Sequence, residues 1–170
     1  MAQAELFLGG ARSGKSARAL ARAEAAGTRR LFIATAEALD AEMADRIARH
    51  RAERGAGWTT LEAPLDLAPA LQAAGGSADV CLIDCLTLWL SNLMHHGRDV
   101  AAETEALCTA VACAPVPILM VSNEVGLGLV PETPLGRAFR DAQGRLNQAA
   151  AQVCGRVEFV AAGLPIALKG

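Results

Sequence analysis

The sequence has very little of several features, and each shortage excludes a class of protein. Tyrosine is absent, and Lys15 and Lys169 are the two lysines of a chain rich in alanine and arginine. The formal net charge is −2, so neither an acidic nor a basic excess argues for a nucleic-acid or membrane-surface partner. The five cysteines are an odd number without a C-x-x-C pair, so we expect neither a disulfide framework nor a zinc site.

Long apolar runs are also missing. No stretch approaches the ~20 apolar residues of a membrane-spanning helix, and the first residues lack the basic-then-apolar pattern of a signal peptide. The chain has 170 residues, 52% of them hydrophobic, which is enough for one substantial core. We therefore expect a single domain spanning residues 1–170, in a cytoplasmic protein without a membrane span.

One stretch, Gly9–Ser16, organises the rest of the chain. It follows the phosphate-binding pattern G-x-x-x-x-G-K-S, after an apolar run at 6–8 and before an alanine-rich helical segment at 17–26 that Gly27 ends. Glycines let backbone N–H groups approach phosphate, and the helix N-terminus adds positive charge. An ordinary glycine-rich turn is the alternative, but the flanking strand and helix favour the phosphate loop. The nucleotide-binding candidates here are Gly9, Gly10, Ala11, Arg12, Ser13, Gly14, Lys15 and Ser16.

Apolar runs and helical segments alternate along the whole chain. This alternation predicts an α/β fold with a mostly parallel sheet and helices on both faces, of the P-loop NTPase type. The last two strands predict an antiparallel hairpin through Ala162 and Gly163. The predicted strands are 6–8, 29–35, 58–62, 79–84, 117–121, 157–160 and 164–168, and the predicted helices are 17–26, 40–54, 65–73, 86–94, 100–113 and 134–153.

Two further positions are candidates for chemistry. Asp84 ends a buried apolar run, where phosphate-loop enzymes carry the acid that holds magnesium, so Asp84 with Ser16 is the predicted metal site. Capping of the next helix is the alternative role for Asp84. The helix that Asp40 begins has an apolar stripe at Met43 and Ile47 that continues into His50 and Arg54. We interpret this face as entering a cleft, although a solvated surface histidine would give the same pattern.

Two more segments invite a functional interpretation. The adjacent His95 and His96 resemble a metal site, but neighbours on a helix point ~100° apart, so an end to the helix is the better interpretation. The loop at 126–132 contains two glycines and follows a predicted strand, on the side where open parallel sheets bind ligands.

Motifs along essentially the whole chain resemble one enzyme family. They are the phosphate loop, Ile-Ala-Thr at 33–35, the Asp-x-Glu-Met and Arg-Ile-x-x-His-Arg run at 40–51, Trp58 with Glu62, the strand ending at Asp84, Ser-Asn-Glu-Val-Gly-x-Gly-x-Val-Pro-Glu at 122–132, and Phe-Arg-Asp-x-x-Gly-Arg-x-Asn-Gln at 139–148. Together they resemble the bifunctional adenosylcobinamide kinase/adenosylcobinamide-phosphate guanylyltransferase family of cobalamin biosynthesis.

The resemblance implies two reactions and a set of site residues. ATP or GTP phosphorylates adenosylcobinamide, and GMP from GTP is then transferred to that phosphate through a GMP–histidine intermediate, which releases pyrophosphate. The matching histidine is His50, and Lys15 serves the kinase step with Mg²⁺. The family's nucleotide contacts carry over to Gly9–Ser16, Ala34, Thr35, Ala36, Arg51, Ala52, Glu53, Arg54, Glu62 and Asp84. The resemblance also implies a homotrimer with the corrinoid between subunits.

Three other functions remain open at this point. A small-metabolite kinase on the same fold would use ATP without a covalent intermediate and would give His50 no role. A nucleotide-gated switch or assembly ATPase would need a water-positioning residue and a partner surface, and neither is legible in the sequence. A family member that has lost one activity is the third alternative, against which the presence of both the phosphate loop and His50 weighs.

Overall fold

The computed structural model describes residues 4–38, 41–74 and 76–170, apart from the side chains of Glu42, Arg46, Arg49, His50, Glu53 and Ala74. Asp40, the predicted N-cap, lies outside the described residues. Strands and helices alternate as the apolar pattern predicts. They are β1 (Ala4–Gly9), α1 (Lys15–Ala26), β2 (Arg30–Ala34), α2 (Ala41–Glu53), β3 (Trp58–Glu62), α3 (Leu67–Ala74), β4 (Val80–Asp84), α4 (Leu86–His95), α5 (Val100–Ala112), β5 (Ile118–Asn123), α6 (Pro134–Val153), β6 (Arg156–Ala161) and β7 (Leu164–Lys169).

The strands form one seven-stranded sheet in the order β3-β2-β4-β5-β1-β6-β7. Each neighbouring pair is parallel except β6 and β7, which form the predicted antiparallel hairpin. The predicted fold class is therefore confirmed. The order of the strands, which the sequence analysis did not address, places β1 and β5 side by side near the middle, and the register pairs Gly9 with Asn123.

Successive residues of the central strands face opposite sides of the sheet, and each side has its own apolar core. Leu6 and Ile83 pack in one core with residues of α3, α4, α5 and α6, including the buried Trp89. Phe7 and Leu82 pack in the other core with α1. Because both faces are covered, the central strands read as nearly continuous apolar runs in the sequence.

Two buried carboxylates fasten α1 to the sheet. Glu5 on β1 is 5% exposed and Glu158 on β6 is 2% exposed. Arg22 donates to Glu5 at 2.8 Å, and Arg18 donates to Glu158 at 2.9 Å. The arginines keep part of their length in solvent while their guanidinium groups satisfy the buried acids. The hydrogen bond from Arg18 holds the pKa of Glu158 below its usual value.

The ends of the elements differ slightly from the predicted ones. The first helix begins at Lys15 rather than at Ala17, and α3 begins at Leu67 rather than at Leu65. Gly27 ends α1 as predicted, but with extended φ, and a Cβ there would lie 2.5 Å from Cβ of Asp79. Close approach, and not left-handed backbone, therefore requires this glycine. In the described part of the chain, no helix combines the length and apolar character needed to cross a membrane.

Candidate active site

The predicted site residues on the strand ends and in the phosphate loop lie along one edge of the sheet. The carboxyl ends of five parallel neighbours, β3, β2, β4, β5 and β1, meet there, since Ala34 is in register with both Glu62 and Asp84, and Gly9 with Asn123. Ligands of open parallel sheets bind in the crevice at this edge. Residues separated by up to seventy-five positions in the sequence, Gly9 to Asp84, are thus brought to one side of the molecule.

The loop between β1 and α1 is closed by its own backbone. Ser13 N donates to Gly10 O at 3.3 Å, and both Arg12 and Gly14 have positive φ, 55° and 97°. The buried hydroxyl of Ser13 has no hydrogen-bond partner among the described residues. Buried polar groups without a partner mark sites where a ligand or water completes the bonding. The loop is therefore shaped before any phosphate arrives, as a phosphate site requires.

Lys15 is held over this loop. It is 8% exposed, and its Nζ donates to Gly10 O at 2.9 Å. Burial lowers the pKa of Lys15, and the negative charge of Asp84 opposes that shift. A buried ammonium group between a loop of backbone N–H groups and a carboxylate is placed to exchange its carbonyl contact for a phosphate oxygen.

Ser16 and Asp84 fit a magnesium ion. Ser16 lies in the first turn of α1, and the half-buried Asp84 ends β4. Burial lowers the pKa of both Lys15 and Arg54, and Asp84 is close enough for its charge to oppose that shift in both. A hydroxyl and a carboxylate are oxygen ligands that Mg²⁺ accepts. The described residues contain no group of three or more metal-binding side chains.

Thr35, predicted as a nucleotide contact, has its side chain turned into the protein. Its hydroxyl donates to Cys85 O and accepts from Cys85 N, both at 2.8 Å, and it is fully buried. The Thr35 carbonyl accepts from Nδ2 of Asn92 at 2.7 Å. Thr35 therefore joins the ends of β2 and β4, and Asn92 of α4 holds the Thr35 backbone in place.

The predicted helix face of α2 is described at its two ends. Met43 and Ile47 are half-buried. Arg54 follows the helix, stacks its guanidinium 3.6 Å from the ring centroid of Phe32 and donates to Thr60 at 3.2 Å. Burial lowers the pKa of Arg54, and the charge of the exposed Arg51 adds to that shift. His50 belongs to α2 by its backbone, but its side chain lies outside the description, as does that of Glu53.

The remaining predicted contacts differ in their exposure. Gly9 is buried, Ala34, Ala36 and Gly14 are half-buried, and Ala11, Arg12, Ala52 and Glu62 are exposed at the surface. The two histidines of α4 end that helix as predicted. His96 is its C-cap residue, and His96 Nε2 lies 3.0 Å from Oε1 of Glu37, in the segment after β2.

A buried polar cluster at the end of β5 was missed by sequence reasoning. Gln143 and Asn147 on α6 hydrogen-bond to Ser122 at 2.9 Å and 2.6 Å, and Asn147 also donates to Asn123 O. Gln143 is completely buried. Polar residues four positions apart on the inner face of an amphipathic helix were the available signal. The cluster holds the strand end that leads into the loop at 124–133.

The fold and the phosphate-loop sequence together define the P-loop NTPase fold class. A solved structure supports this class at the level of fold: the flagellar accessory protein FlaH from Methanocaldococcus jannaschii aligns with a TM-score of 0.55 and 11% identity, covering 98% of this chain and 78% of FlaH.

Sequence comparison narrows the class to a family. The chain belongs to the cobinamide kinase / cobinamide phosphate guanyltransferase family, which it matches over residues 5–168. It is 49% identical to the bifunctional adenosylcobalamin biosynthesis protein CobP of Pseudomonas aeruginosa, covering 98% of this chain and 97% of CobP. It is 37% identical to the bifunctional adenosylcobalamin biosynthesis protein CobU of Escherichia coli, covering 96% of this chain and 98% of CobU. The family identified from the sequence motifs is confirmed.

Proposed function

We propose that this chain phosphorylates adenosylcobinamide with ATP or GTP and then transfers GMP from GTP to adenosylcobinamide phosphate. The products are adenosylcobinamide-GDP and pyrophosphate, in late cobalamin biosynthesis. The observation that carries the proposal is the closed phosphate loop with the buried Lys15 beside Asp84, in a chain of this family. Five cysteines without a disulfide in the described structure suit a reducing, cytoplasmic location.

In the kinase step, the substrate hydroxyl attacks the γ-phosphorus as the bond to the β-phosphate oxygen breaks, and the hydroxyl proton leaves to solvent. The loop N–H groups and Lys15 orient the triphosphate and stabilise charge on the transferring group. Mg²⁺, held by Ser16 and Asp84 with the phosphates, neutralises phosphate charge when bound. The protein's contribution to this step is therefore positioning and electrostatics, and it does not require His50.

In the guanylyl step, we assign His50 as the nucleophile. A neutral imidazole nitrogen attacks the α-phosphorus of GTP, a P–N bond forms, and the bond to pyrophosphate breaks. A phosphate oxygen of adenosylcobinamide phosphate then attacks the same phosphorus, and the P–N bond breaks. Arg51 and Arg54 are close to His50 in the sequence, and we assign them to favouring the neutral imidazole by charge repulsion and to stabilising the transferring phosphoryl group. We assign the same role to Arg46 from its spacing, four residues before His50 on α2.

The corrinoid is large, so its site extends beyond the nucleotide edge. We propose a homotrimer in which the corrinoid lies between subunits. The support on this chain is exposed apolar surface: Leu164, Ile166 and Leu168 on the outer strand β7 are 70%, 56% and 59% exposed. Apolar side chains in such a row mark interaction surfaces.

The test is labelling of the protein by α-labelled GTP with magnesium and without corrinoid. We expect acid-labile, base-stable label on the wild type, none on His50→Ala, and at least partial kinase activity in that variant. Label that persists on His50→Ala or His50→Gln would remove the nucleophile role. Equal loss of both activities in a folded variant would contradict separate roles.

A second outcome would favour the plain small-metabolite kinase. No label on a wild-type protein that binds GTP, together with phosphorylation of the substrate hydroxyl by ATP, would replace the guanylyl step. Retention of the label without phosphorylation of adenosylcobinamide would instead identify a member that has lost the kinase activity.

A further inference from the structure

The turn of the C-terminal hairpin lies directly against the phosphate loop. Gly163 N donates to Ser13 O at 2.8 Å. A Cβ on Gly14 would lie 3.1 Å from Cα of Gly163, and a Cβ on Gly9 would collide with the carbonyl oxygen of Val160, on the strand that leads into the turn. One hairpin, from the far end of the sequence, thus touches both ends of the loop.

These contacts change the explanation of the loop's glycines. The sequence analysis attributed them to the approach of phosphate. The hairpin also restricts both positions: a Cβ on Gly9 would collide with its backbone, and a Cβ on Gly14 would lie closer to its backbone than most Cβ contacts do. Gly14 also has a φ of 97°, which only glycine adopts without strain. The loop and the hairpin are therefore built to fit each other.

We propose that the Ala162–Gly163 turn is a positioning element for nucleotide, which orients the Ser13–Gly14 peptide so that the Gly14 N–H faces the bound phosphate. A trans peptide unit is planar, so its carbonyl and its N–H point in opposite directions. Because Gly163 holds the Ser13 carbonyl, the Gly14 N–H points away from the hairpin. That N–H has no acceptor among the described residues, and a phosphate oxygen satisfies it.

The turn has the backbone that this role requires. Ala162 and Gly163 have φ of 52° and 77°, the two left-handed residues of a tight two-residue hairpin. A Cβ on Gly163 would meet no atom within 4 Å. An alanine there strains the backbone without colliding with a neighbour, so its effect on the phosphate loop must pass through the turn itself.

The experiment compares glycines with the same backbone in different places. Gly76 has a φ of 88° and open space around its Cβ, and it lies before β4, at the opposite edge of the sheet. We expect Gly163→Ala to weaken the equilibrium affinity for GTP about tenfold. We expect Gly163→Ala and Gly76→Ala to lower Tm by similar amounts, because both place alanine in a left-handed backbone. Gly76→Ala should leave GTP affinity unchanged.

A graded variant keeps the test decisive if Gly163→Ala fails to fold. Asparagine tolerates left-handed backbone better than alanine, so Gly163→Asn is expected to stay folded and to weaken GTP binding about twofold. Wild-type affinity in a folded Gly163→Ala variant, or in Gly163→Asn if that is the only folded one, would overturn the proposal. An equal loss in Gly76→Ala would also overturn it, because strain anywhere would then suffice.

The inference rests on the proposed function only in requiring that the loop binds a nucleoside triphosphate. The two fail differently. If the proposed function is wrong, the wild type does not bind GTP or is not labelled by it. If only the inference is wrong, the wild type binds GTP and is labelled, while the Gly163 variants retain the same affinity.

Discussion

Two loops follow neighbouring strands at the same edge of the sheet. One is held by hydrogen bonds, and the other exposes large apolar side chains. The phosphate loop after β1 is closed by Ser13, held by Gly163 and covered by Lys15. The loop at 124–133 after β5 joins it at one point, where Glu124 N donates to Gly9 O at 3.0 Å. Beyond that point it exposes large apolar side chains: Leu127 is 83% exposed and Leu129 is 97% exposed.

The difference follows from what each loop has to recognise. Backbone N–H groups bind a phosphate only when their directions are set beforehand, and ordering them in advance reduces the entropy lost on binding. Exposed leucines gain free energy only when another surface removes them from water. We infer that the phosphate loop recognises the triphosphate group, which ATP and GTP share. We also infer that the loop at 124–133 contributes to the surface that binds the corrinoid.

The largest expected effect is on the phosphate loop. Lys15→Met removes the cation that we propose contacts the transferring phosphate, so we expect the kinase kcat to fall by about 10²–10³. Steady-state phosphorylation of adenosylcobinamide measures it. Lys169→Met removes the other lysine, which is exposed and bonds to carbonyls of α6, and should keep wild-type activity. Similar losses in both variants would contradict a specific role for Lys15.

The next effect concerns the anchoring of α1 behind the phosphate loop. Glu158→Gln removes a buried charge that Arg18 and Arg156 neutralise, and we expect the free energy of unfolding at pH 7 to fall by about 2 kcal/mol. Urea denaturation measures it. Glu105→Gln, at an exposed position on α5, is the control and should change little.

The pH dependence of stability shows whether the charge of Glu158 stabilises the protein. Because the folded pKa of Glu158 is lowered, its charge stabilises the protein above the unfolded pKa, about 4.3, and this stability is lost as pH falls through the folded pKa. The difference between wild type and Glu158→Gln should therefore shrink on acidification below about pH 4. A difference that stays constant from pH 7 to pH 3 would show that lost packing, and not charge, explains the variant.

A smaller effect is expected for the exposed loop. If Leu127 and Leu129 contact the corrinoid as we infer, Leu127→Ser combined with Leu129→Ser should raise KM for adenosylcobinamide about tenfold, because two apolar contacts are lost. Labelling by GTP without corrinoid should not change. The matched control, Leu127→Met with Leu129→Met, keeps the apolar surface and should behave as wild type. An altered GTP labelling with unaltered corrinoid KM would reverse the roles that we assign to the two loops.

The smallest effect is expected away from both loops. Asp99 caps α5, where its side chain accepts from the backbone N–H groups of Ala101 and Ala102. Asp99→Ala should lower the free energy of unfolding by about 1 kcal/mol and leave both activities unchanged. Thermal denaturation and the two assays measure this. A change in KM for either substrate would mean that the site is sensitive to global stability. Changes in KM could then not be assigned to one loop or the other.

Much of the fold could be predicted because its signals are local. Apolar runs bounded by glycine and polar residues gave every strand of the described sheet, and the last helix begins at Pro134 and ends at Val153 as predicted. The phosphate loop is also local, since its glycines, Lys15 and Ser16 are consecutive. Thr35 was named from family motifs, but its hydroxyl bonds to Cys85, fifty residues away. No pattern around residue 35 contains that partner.

The sequence by itself determined the type and order of the strands and helices, the phosphate loop and the family. Each depends on residues close together in the chain or on motifs read in order. Only the tertiary structure decided which strands are neighbours, that the Thr35 hydroxyl bonds to Cys85 after β4, that Asn92 holds the Thr35 carbonyl, and that Gly163 holds the Ser13 carbonyl. These contacts join segments up to about 150 residues apart, and their partners are backbone carbonyls and N–H groups, which every residue carries. No side chain marks a backbone partner in the sequence, so each contact becomes visible only when the chain is folded.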